Sequence, residues 1–210
     1  LTGANDRVTI RRLLNLLQDS RGSVRRSAAE AVGRVGSAAA DSAPALVALL
    51  SDKYQSIQLA AAKSLGQIGA AAIEQVDGIV TLLSNEDAEI REAAAKALGA
   101  IGPSASETAP ALIAALNDPE ARVVQSVVGA LTQMGASMRG SIPLLVDNLS
   151  SNDDLLKLTS LQTLGQLAPH SESAADSVQN CLADRNNTVR EAARSALERI
   201  HRAAQTAVRR

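Results

Sequence analysis

Few side chains in this sequence could take part in catalysis or bind a metal. The chain of 210 residues has two histidines, His170 and His201, and one cysteine, Cys181. The histidines lie far apart in the sequence and neither belongs to a His-Glu pair, so no metal-ligand spacing is present. A lone cysteine forms no intrachain disulfide, and a nucleophilic cysteine needs a positioned base that the sequence does not nominate. We therefore predict no enzyme activity, no metal site, no cofactor, and surface positions for both histidines.

Nucleic acid is also a poor candidate for the partner. Lys and Arg outnumber Asp and Glu by 9 to 5 in residues 1–70, but they are outnumbered by 9 to 4 in residues 71–140. This profile does not resemble a continuous basic track for phosphates. Tyr54 is the single aromatic residue available to stack on bases. The glycines in GQIGAAA and GAIGPSA precede no Lys-Ser or Lys-Thr pair, so a phosphate loop is absent as well.

The composition describes a globular protein built from small aliphatic residues. Hydrophobic residues make up 46% of the chain, the formal net charge is -1, and Phe and Trp are absent. No apolar run approaches the roughly 18 residues that span a bilayer, so we expect no membrane span. One cysteine suits a reducing compartment, and we expect a cytoplasmic location. Small aliphatic side chains favour helices packed closely against helices.

A repeat of 33 residues organises the chain and must position any site. The segments SAAEAVGRVG, AAAKSLGQIG and AAAKALGAIG begin at residues 27, 60 and 93. Each repeat holds two apolar stretches with helical spacing, which predicts two amphipathic helices. One apolar column of the first helix is Leu13, Leu46, Ile79, Leu112, Leu145 and Val178, and one of the second helix is Val32, Leu65, Leu98, Leu131, Leu164 and Leu197. Cys181 falls in a leucine column and is expected in the core.

We predict a single domain over residues 1–210, made of about six repeats. The expected repeats are 4–36, 37–69, 70–102, 103–135, 136–168 and 169–210, the last with a C-terminal cap helix. Gly3 lies 33 residues before Gly36, so LTG is interpreted as the tail of an earlier second helix. On that interpretation the natural protein extends before Leu1.

Two glycine columns have different expected roles. Gly36, Gly69, Gly102 and Gly135 are predicted to end the second helix in a left-handed conformation. Gly33, Gly66, Gly99 and Gly165 lie one turn earlier and are predicted to let a neighbouring helix approach closely. Glu198 and His201 replace both glycines in the last repeat, where the helical pattern continues to the end of the chain. We interpret this last helix as the polar cap that repeat arrays need.

These segments resemble HEAT repeats, particularly the short repeats of bilin-lyase-like proteins. The matching segments are VRRSAAEAVGRVG, IREAAAKALGAIG and VREAARSALERI. The resemblance implies an all-α fold, a right-handed α-solenoid of helix-turn-helix repeats with second helices on the concave side. It also implies a ladder between a turn aspartate and a basic residue of the neighbouring repeat. Asp19, Asp52, Asp118, Asp184, Arg25, Arg91, Lys157 and Arg190 fit the ladder, whereas Gln58, Val124, Asn85 and Ser151 depart from it.

Columns that vary on the second helix are the expected partner-binding positions. They are Arg26, Leu59, Lys63, Glu92, Lys96, Gln125, Val128, Leu158, Leu161 and Gln162. Val128, Leu158 and Leu161 replace small or charged residues, and exposed apolar clusters often mark partner sites. A small rotation of their helices would bury them instead, and the sequence leaves both interpretations open.

The resulting hypothesis is a non-catalytic scaffold that binds another protein or a peptide on the concave surface. The alternative is a bilin-lyase-like subunit that assists attachment of a tetrapyrrole to a phycobiliprotein. A consensus-designed array is also open, although irregular positions such as Thr132 and Ala168 favour a natural chain.

Overall fold

The computed structural model describes residues 3–208, with the side chains of residues 7–206. The described chain is helical and divides after Thr108 into two compact units. The α-helices of the first unit are α1 (Gly3–Leu16), α2 (Gly22–Val35), α3 (Ala43–Leu49), α4 (Gln55–Ile68), α5 (Val76–Thr81) and α6 (Ala88–Ile101). Those of the second unit are α7 (Ala109–Ala114), α8 (Ala121–Met134), α9 (Ile142–Asn148), α10 (Asp154–Gln166), α11 (Ala175–Asn180) and α12 (Asn187–Val208).

Each unit is a row of helix pairs. The even-numbered helices are the predicted second helices, and α4 packs between α2 and α6 while α10 packs against α12. The odd-numbered helices are short and are preceded by 3-10 turns at 36–42, 69–75, 102–108 and 135–141. In contrast, α1 is 14 residues long and begins at Gly3. Gly3 therefore opens a first helix, which differs from the expected end of a second helix, and Leu1 and Thr2 lie outside the described residues.

The predicted apolar columns form the core of both units. Fully buried positions in the first-helix column include Leu46, Ile79, Leu112, Leu145 and Val178. Those in the second-helix column include Val32, Leu65, Leu98, Leu131 and Leu164. Burying a leucine or valine side chain stabilises the fold by roughly 1.5–3 kcal/mol. Cys181 is buried as predicted, and burial raises the pKa of its thiol.

The glycines that end the second helices adopt the predicted positive φ, at 69° in Gly36, 66° in Gly69, 75° in Gly102 and 54° in Gly135. Their ψ angles lie between -144° and -123°, far from the value near +45° of a left-handed helical residue. A Cβ atom disfavours this region strongly, so the position depends on glycine more strictly than a left-handed cap would.

Among the inner glycines, Gly33, Gly66 and Gly165 are packing notches, as predicted. A Cβ atom on Gly66 would lie 3.2 Å from the Cα atom of Ala97 in α6, and one on Gly165 would lie 3.1 Å from the Cα atom of Ala196 in α12. Thr132 occupies the same position in α8, where its hydroxyl group contacts the Oε1 atom of Gln166 at 2.9 Å. α8 also packs less closely against α10 than α10 packs against α12.

The fifth repeat ends its second helix without a glycine. Ala168 stands in the glycine column, and the Ser171 hydroxyl donates a hydrogen bond of 2.7 Å to the carbonyl oxygen of Leu164. Ser171 is fully buried, so this bond satisfies a carbonyl that the helix leaves open. The last repeat continues as the 22-residue helix α12, with Glu198, Arg199 and Arg202 exposed. The role of this helix as a cap stays a prediction.

The ladder is more complete than its residue types predict. Arg25 forms an ion pair with Asp52, and the Lys157 Nζ atom lies 2.7 Å from the Asp184 Oδ2 atom. Gln58 and Asn85, which depart from the charged pattern, face one another and join by a hydrogen bond of 3.3 Å. Between the second and third repeats, an amide pair thus takes the place of the charged pair.

The turn aspartates have a second role in the local backbone. The Oδ1 atom accepts the N–H group two residues later in Asp19, Asp52, Asp118 and Asp184. Asn85 and Ser151 make the same bond with their side-chain oxygens. The column therefore selects short side chains that accept a hydrogen bond in an Asx-type turn.

Two of these aspartates have lowered pKa values. The Arg21 side chain, followed by its N–H group, lowers the pKa of Asp19 to about 2. The Lys157 ammonium group, followed by the Asn186 N–H group, lowers the pKa of Asp184. Both interactions hold the carboxylate in its charged form at the turn.

Candidate partner-binding grooves

Each unit has an open groove between two consecutive second helices. Groove 1, between α2 and α4, has a volume of about 490 Å³ and is lined by Arg26, Glu30, Arg34, Ser56, Leu59, Ala60, Lys63, Ser64 and Gln67. Groove 2, between α10 and α12, has a volume of about 350 Å³ and is lined by Leu158, Leu161, Gln162, Gly165, Gln166, Ala192, Ser195, Ala196 and Arg199. The two grooves occupy equivalent positions in the 33-residue register.

Groove 1 is bordered by charged side chains. Arg26 pairs with Glu30 at 2.9 Å, and Lys63 pairs with Glu89 at 2.9 Å. These side chains are about half exposed, and ion pairs of this kind contribute only about 0.2–1 kcal/mol. A charged partner could therefore replace either internal pairing at small cost. Beneath them, the buried Ser64 hydroxyl lies 2.8 Å from the Ala29 carbonyl oxygen and ties α4 to α2.

Groove 2 has an apolar floor and a polar border. Leu161 is fully buried and Leu158 is half-buried at one end of the groove. Gly165, Ala192 and Ala196 line the groove with small groups, and Gly165 lets α10 and α12 approach closely. The amides of Gln162 and Gln166 and the guanidinium of Arg199 provide the polar groups. Such a surface can hold an aliphatic side chain while forming a few directed hydrogen bonds.

The structure brings six of the ten predicted binding residues into these grooves. Groove 1 contains Arg26, Leu59 and Lys63, and groove 2 contains Leu158, Leu161 and Gln162. Glu92 and Lys96 lie outside both grooves and form an ion pair with one another on α6. Gln125 is exposed on α8.

Val128 and Leu161 are buried, which is one of the two interpretations that the sequence left open. Their side chains are 3% and 0% exposed, so both belong to the packed interior of the second unit. Leu158 is only half-buried and remains the accessible member of the apolar set. The open alternative, burial by helix packing, therefore holds for Val128 and Leu161.

Sequence reasoning missed the polar column one turn beyond the predicted positions. Arg34 and Gln67 line groove 1, and Gln166 and Arg199 line groove 2. These four residues share one position in the 33-residue register. The sequence contained a signal for this column, because long polar side chains recur at the position that follows the inner glycines.

The two histidines do not form a common site. His201 is exposed on α12, and His170 is half-buried with its Nδ1 atom 3.5 Å from Arg139 Nη2. Among the side chains that the structure describes, those of residues 7–206, no three His, Cys, Asp or Glu side chains lie close enough to share a metal ion. Within residues 3–208, no helix has both the length and the apolar character required to cross a membrane.

Comparison with known proteins identifies the repeat type. The HEAT repeats family matches residues 10–78, 43–132 and 109–198 in three overlapping segments. A search of curated proteins returned no match. The matches show HEAT repeats in general and do not show the finer resemblance to the bilin-lyase-like repeats.

Solved structures with the same fold are also similar to this chain. An engineered protein has a TM-score of 0.63 at 21% identity, covering 92% of this chain and 97% of that protein. A designed armadillo repeat protein in complex with the peptide (KR)4 has a TM-score of 0.59 at 16% identity, covering 90% and 98%. The archaeal HEAT-like repeats protein from Thermococcus onnurineus NA1 has a TM-score of 0.57 at 17% identity, covering 91% and 80%. These similarities confirm the predicted α-solenoid fold.

Proposed function

Because this chain belongs to the HEAT repeat family, we propose that it is a non-catalytic scaffold that binds another protein or a peptide through its second helices. The observation that carries the proposal is the recurrence of an open groove at the same register position in both units. A repeat array presents such positions in a regular series, which suits an extended partner. The designed armadillo protein with its bound peptide supports the capacity of this fold for peptide binding.

The composition of the grooves supports a protein or peptide as the ligand. Groove 1 offers weakly paired charges, and groove 2 offers an apolar floor with amide groups on its border. Protein interfaces combine a few buried apolar anchors with a polar rim in the same way. The tetrapyrrole alternative has no equivalent support from a particular contact.

Site-specific photo-crosslinking tests this proposal. A photoreactive amino acid is placed at Lys63 in groove 1 or at Gln162 in groove 2, and matched controls carry it at Ala48 in α3 or at Asp147 in α9. All four positions are exposed in the structure. After irradiation in an extract of the source cells, mass spectrometry identifies the crosslinked partner. We expect one recurrent partner at Lys63 or Gln162. A partner crosslinked only at Ala48 or Asp147 would overturn the proposal.

A further inference from the structure

The second-helix surface of α10 is more apolar than the equivalent surfaces of α6 and α12. Leu155 is 47% exposed and Leu158 is half-buried, one helical turn apart. The equivalent residues are Glu89 and Glu92 in α6, and Thr188 and Glu191 in α12. Exposing two leucines in one short stretch is unfavourable in water, so this stretch fits a surface that a partner covers.

Arg199, at the other end of groove 2, carries a positive charge that is available to a ligand. Arg199 is exposed, and no carboxylate within the described residues forms an ion pair with it. Its side chain crosses the notch, since a Cβ atom on Gly165 would lie 3.5 Å from the Arg199 Cδ atom. A guanidinium binds carboxylates in paired, charge-assisted hydrogen bonds. Groove 2 therefore offers an aliphatic contact at Leu158 and a carboxylate contact at Arg199.

The spacing of these contacts defines the shape of the ligand. Leu158 and Gly165 are seven residues apart on α10, which corresponds to about 10 Å along a helix. An extended chain covers about 10 Å in three residues. An extended segment of three residues therefore spans the distance between the two contacts.

We propose that groove 2 binds an extended peptide segment in which a large aliphatic side chain and a carboxylate side chain are three residues apart. The aliphatic side chain packs on Leu158, and the carboxylate pairs with Arg199. The exposed amide of Gln162 lies on α10 between these two contacts and is placed to bond the peptide backbone. This inference rests on the proposed function, because it names the ligand of one of the two grooves.

Nuclear magnetic resonance titration of the 210-residue chain tests the inference. The probes are Ac-Gly-Leu-Ser-Ser-Glu-Gly-NH2 and the peptide with Leu and Glu exchanged, because either chain direction is compatible with the groove. We expect at least one probe to shift amide signals of α10 and α12 in a saturable way. Replacing Glu by Gln in that probe should weaken binding about tenfold at low salt, and replacing Leu by Ser should abolish it.

Variants of the protein verify that the probes bind in groove 2. Arg199→Gln should weaken binding of the Glu probe about tenfold and remove its preference over the Gln probe. Arg34→Gln, at the equivalent position of groove 1, is the matched control and should leave both affinities unchanged. Leu158→Ser should reduce binding of both probes, and an unchanged spectrum of the free variant verifies that it is folded.

Several outcomes would overturn the inference. These are equal affinity for the Glu and Gln probes, shifts confined to α2 and α4, and shifts that report self-association of the chain. Failure of the probes together with a partner crosslinked at Lys63 rejects only the ligand assigned to groove 2. Crosslinks found only on α3 and α9 reject the proposed function itself.

Discussion

Arg25 in α2 and Asp52, in the turn before α4, form an ion pair that is almost buried. The Arg25 Nη2 atom lies 2.7 Å from the Asp52 Oδ2 atom, and the two side chains are 13% and 7% exposed. Arg25 also donates a hydrogen bond of 2.7 Å to the Asp19 carbonyl oxygen. At the equivalent positions of the next repeat, Gln58 faces Asn85, so both side chains of that pair are neutral. A single charge left at such a site would be costly, which explains why the members change as a pair.

This relationship predicts how substitutions at the ladder combine. Arg25→Gln leaves Asp52 without its cation and should lower the free energy of unfolding by about 3 kcal/mol. The double variant Arg25→Gln with Asp52→Asn copies the Gln58 and Asn85 pair and should recover at least half of that loss. Urea denaturation of both single variants and the double variant gives the coupling energy. Simple additivity of the two single effects would contradict the paired role.

The inner glycines provide a test of packing against intrinsic helix propensity. Gly66→Ala places a Cβ atom 3.2 Å from the Ala97 Cα atom, and we expect a net destabilisation of about 1–2 kcal/mol. Gly129→Ala is the control, because Gly129 lies inside α8 with no heavy atom within 4 Å of the added Cβ. That substitution should stabilise the protein by about 0.5–1 kcal/mol. Thermal unfolding of the two variants should therefore give shifts of opposite sign.

The terminating glycines test backbone conformation without a steric clash. A Cβ atom on Gly135 has no neighbour within 4 Å, yet its φ is 54° and its ψ is -123°. We expect Gly135→Ala to cost about 2 kcal/mol, and Gly135→Asn to rescue little, because asparagine favours the left-handed helical region instead. Gly140→Ala is the control, since Gly140 has a negative φ and equally open surroundings. Full rescue by asparagine, measured by chemical denaturation, would contradict this conformational explanation.

The pair of Lys157 and Asp184 predicts an acid-sensitive contribution to stability. The Lys157 ammonium group and the Asn186 N–H group lower the pKa of Asp184 in the folded state. A depressed folded-state pKa means that the contribution is complete above the unfolded pKa of about 3.9. It is lost as the pH falls from that value through the folded pKa. Stability measured from pH 7 to pH 2 should show a smaller acid loss in Asp184→Asn than in the parent chain; an unchanged acid profile would argue against the assignment.

The outer surface of α1 and α2 predicts a place where another repeat can pack. Leu16 is 40% exposed, whereas the equivalent Leu49 and Leu82 are 6% and 5% exposed. Fusing a copy of residues 37–66 before Leu1 keeps the 33-residue register. The fused chain should be more stable because the copy covers Leu16 and the open groove of about 410 Å³ beside it.

A substitution at Leu16 verifies where the fused copy packs. Leu16→Asp should have little effect on the original chain, where the side chain is already partly in water. In the fused chain, the same substitution should cost about 2 kcal/mol or more, because it buries a carboxylate. An equal cost in the two chains, measured by thermal and urea unfolding, would show that the copy does not cover this surface.

The residue pattern predicts much of the fold because the 33-residue register repeats without an insertion. Leu65 and Leu98 occupy the expected core column, and Gly69 and Gly102 end their helices at the expected places. The pairing of Gln58 with Asn85 was harder to predict from the sequence, because it joins residues 27 positions apart in different repeats. Their shared departure from the charged pattern becomes meaningful only when the two columns face one another.

The candidate site was predictable in position and less so in its residues. The expected column places Leu158 and Gln162 in groove 2, yet it also includes Leu161, which the fold buries completely. A step of one residue along a helix rotates a side chain by about 100°, so neighbouring columns differ in exposure according to how closely the helices pack. Arg199 enters the groove from the next repeat, and periodicity within one helix does not place it there.

The helical repeats, their apolar core columns and the glycines between them can be predicted from the residue pattern, because those features depend on local periodicity and backbone sterics. Tertiary packing decided which variable residues reach a groove, which are buried and which charges pair across repeats. The difference arises because helix spacing depends on small contacts between repeats, such as Gly165 against Ala196, and these contacts set how far each groove opens.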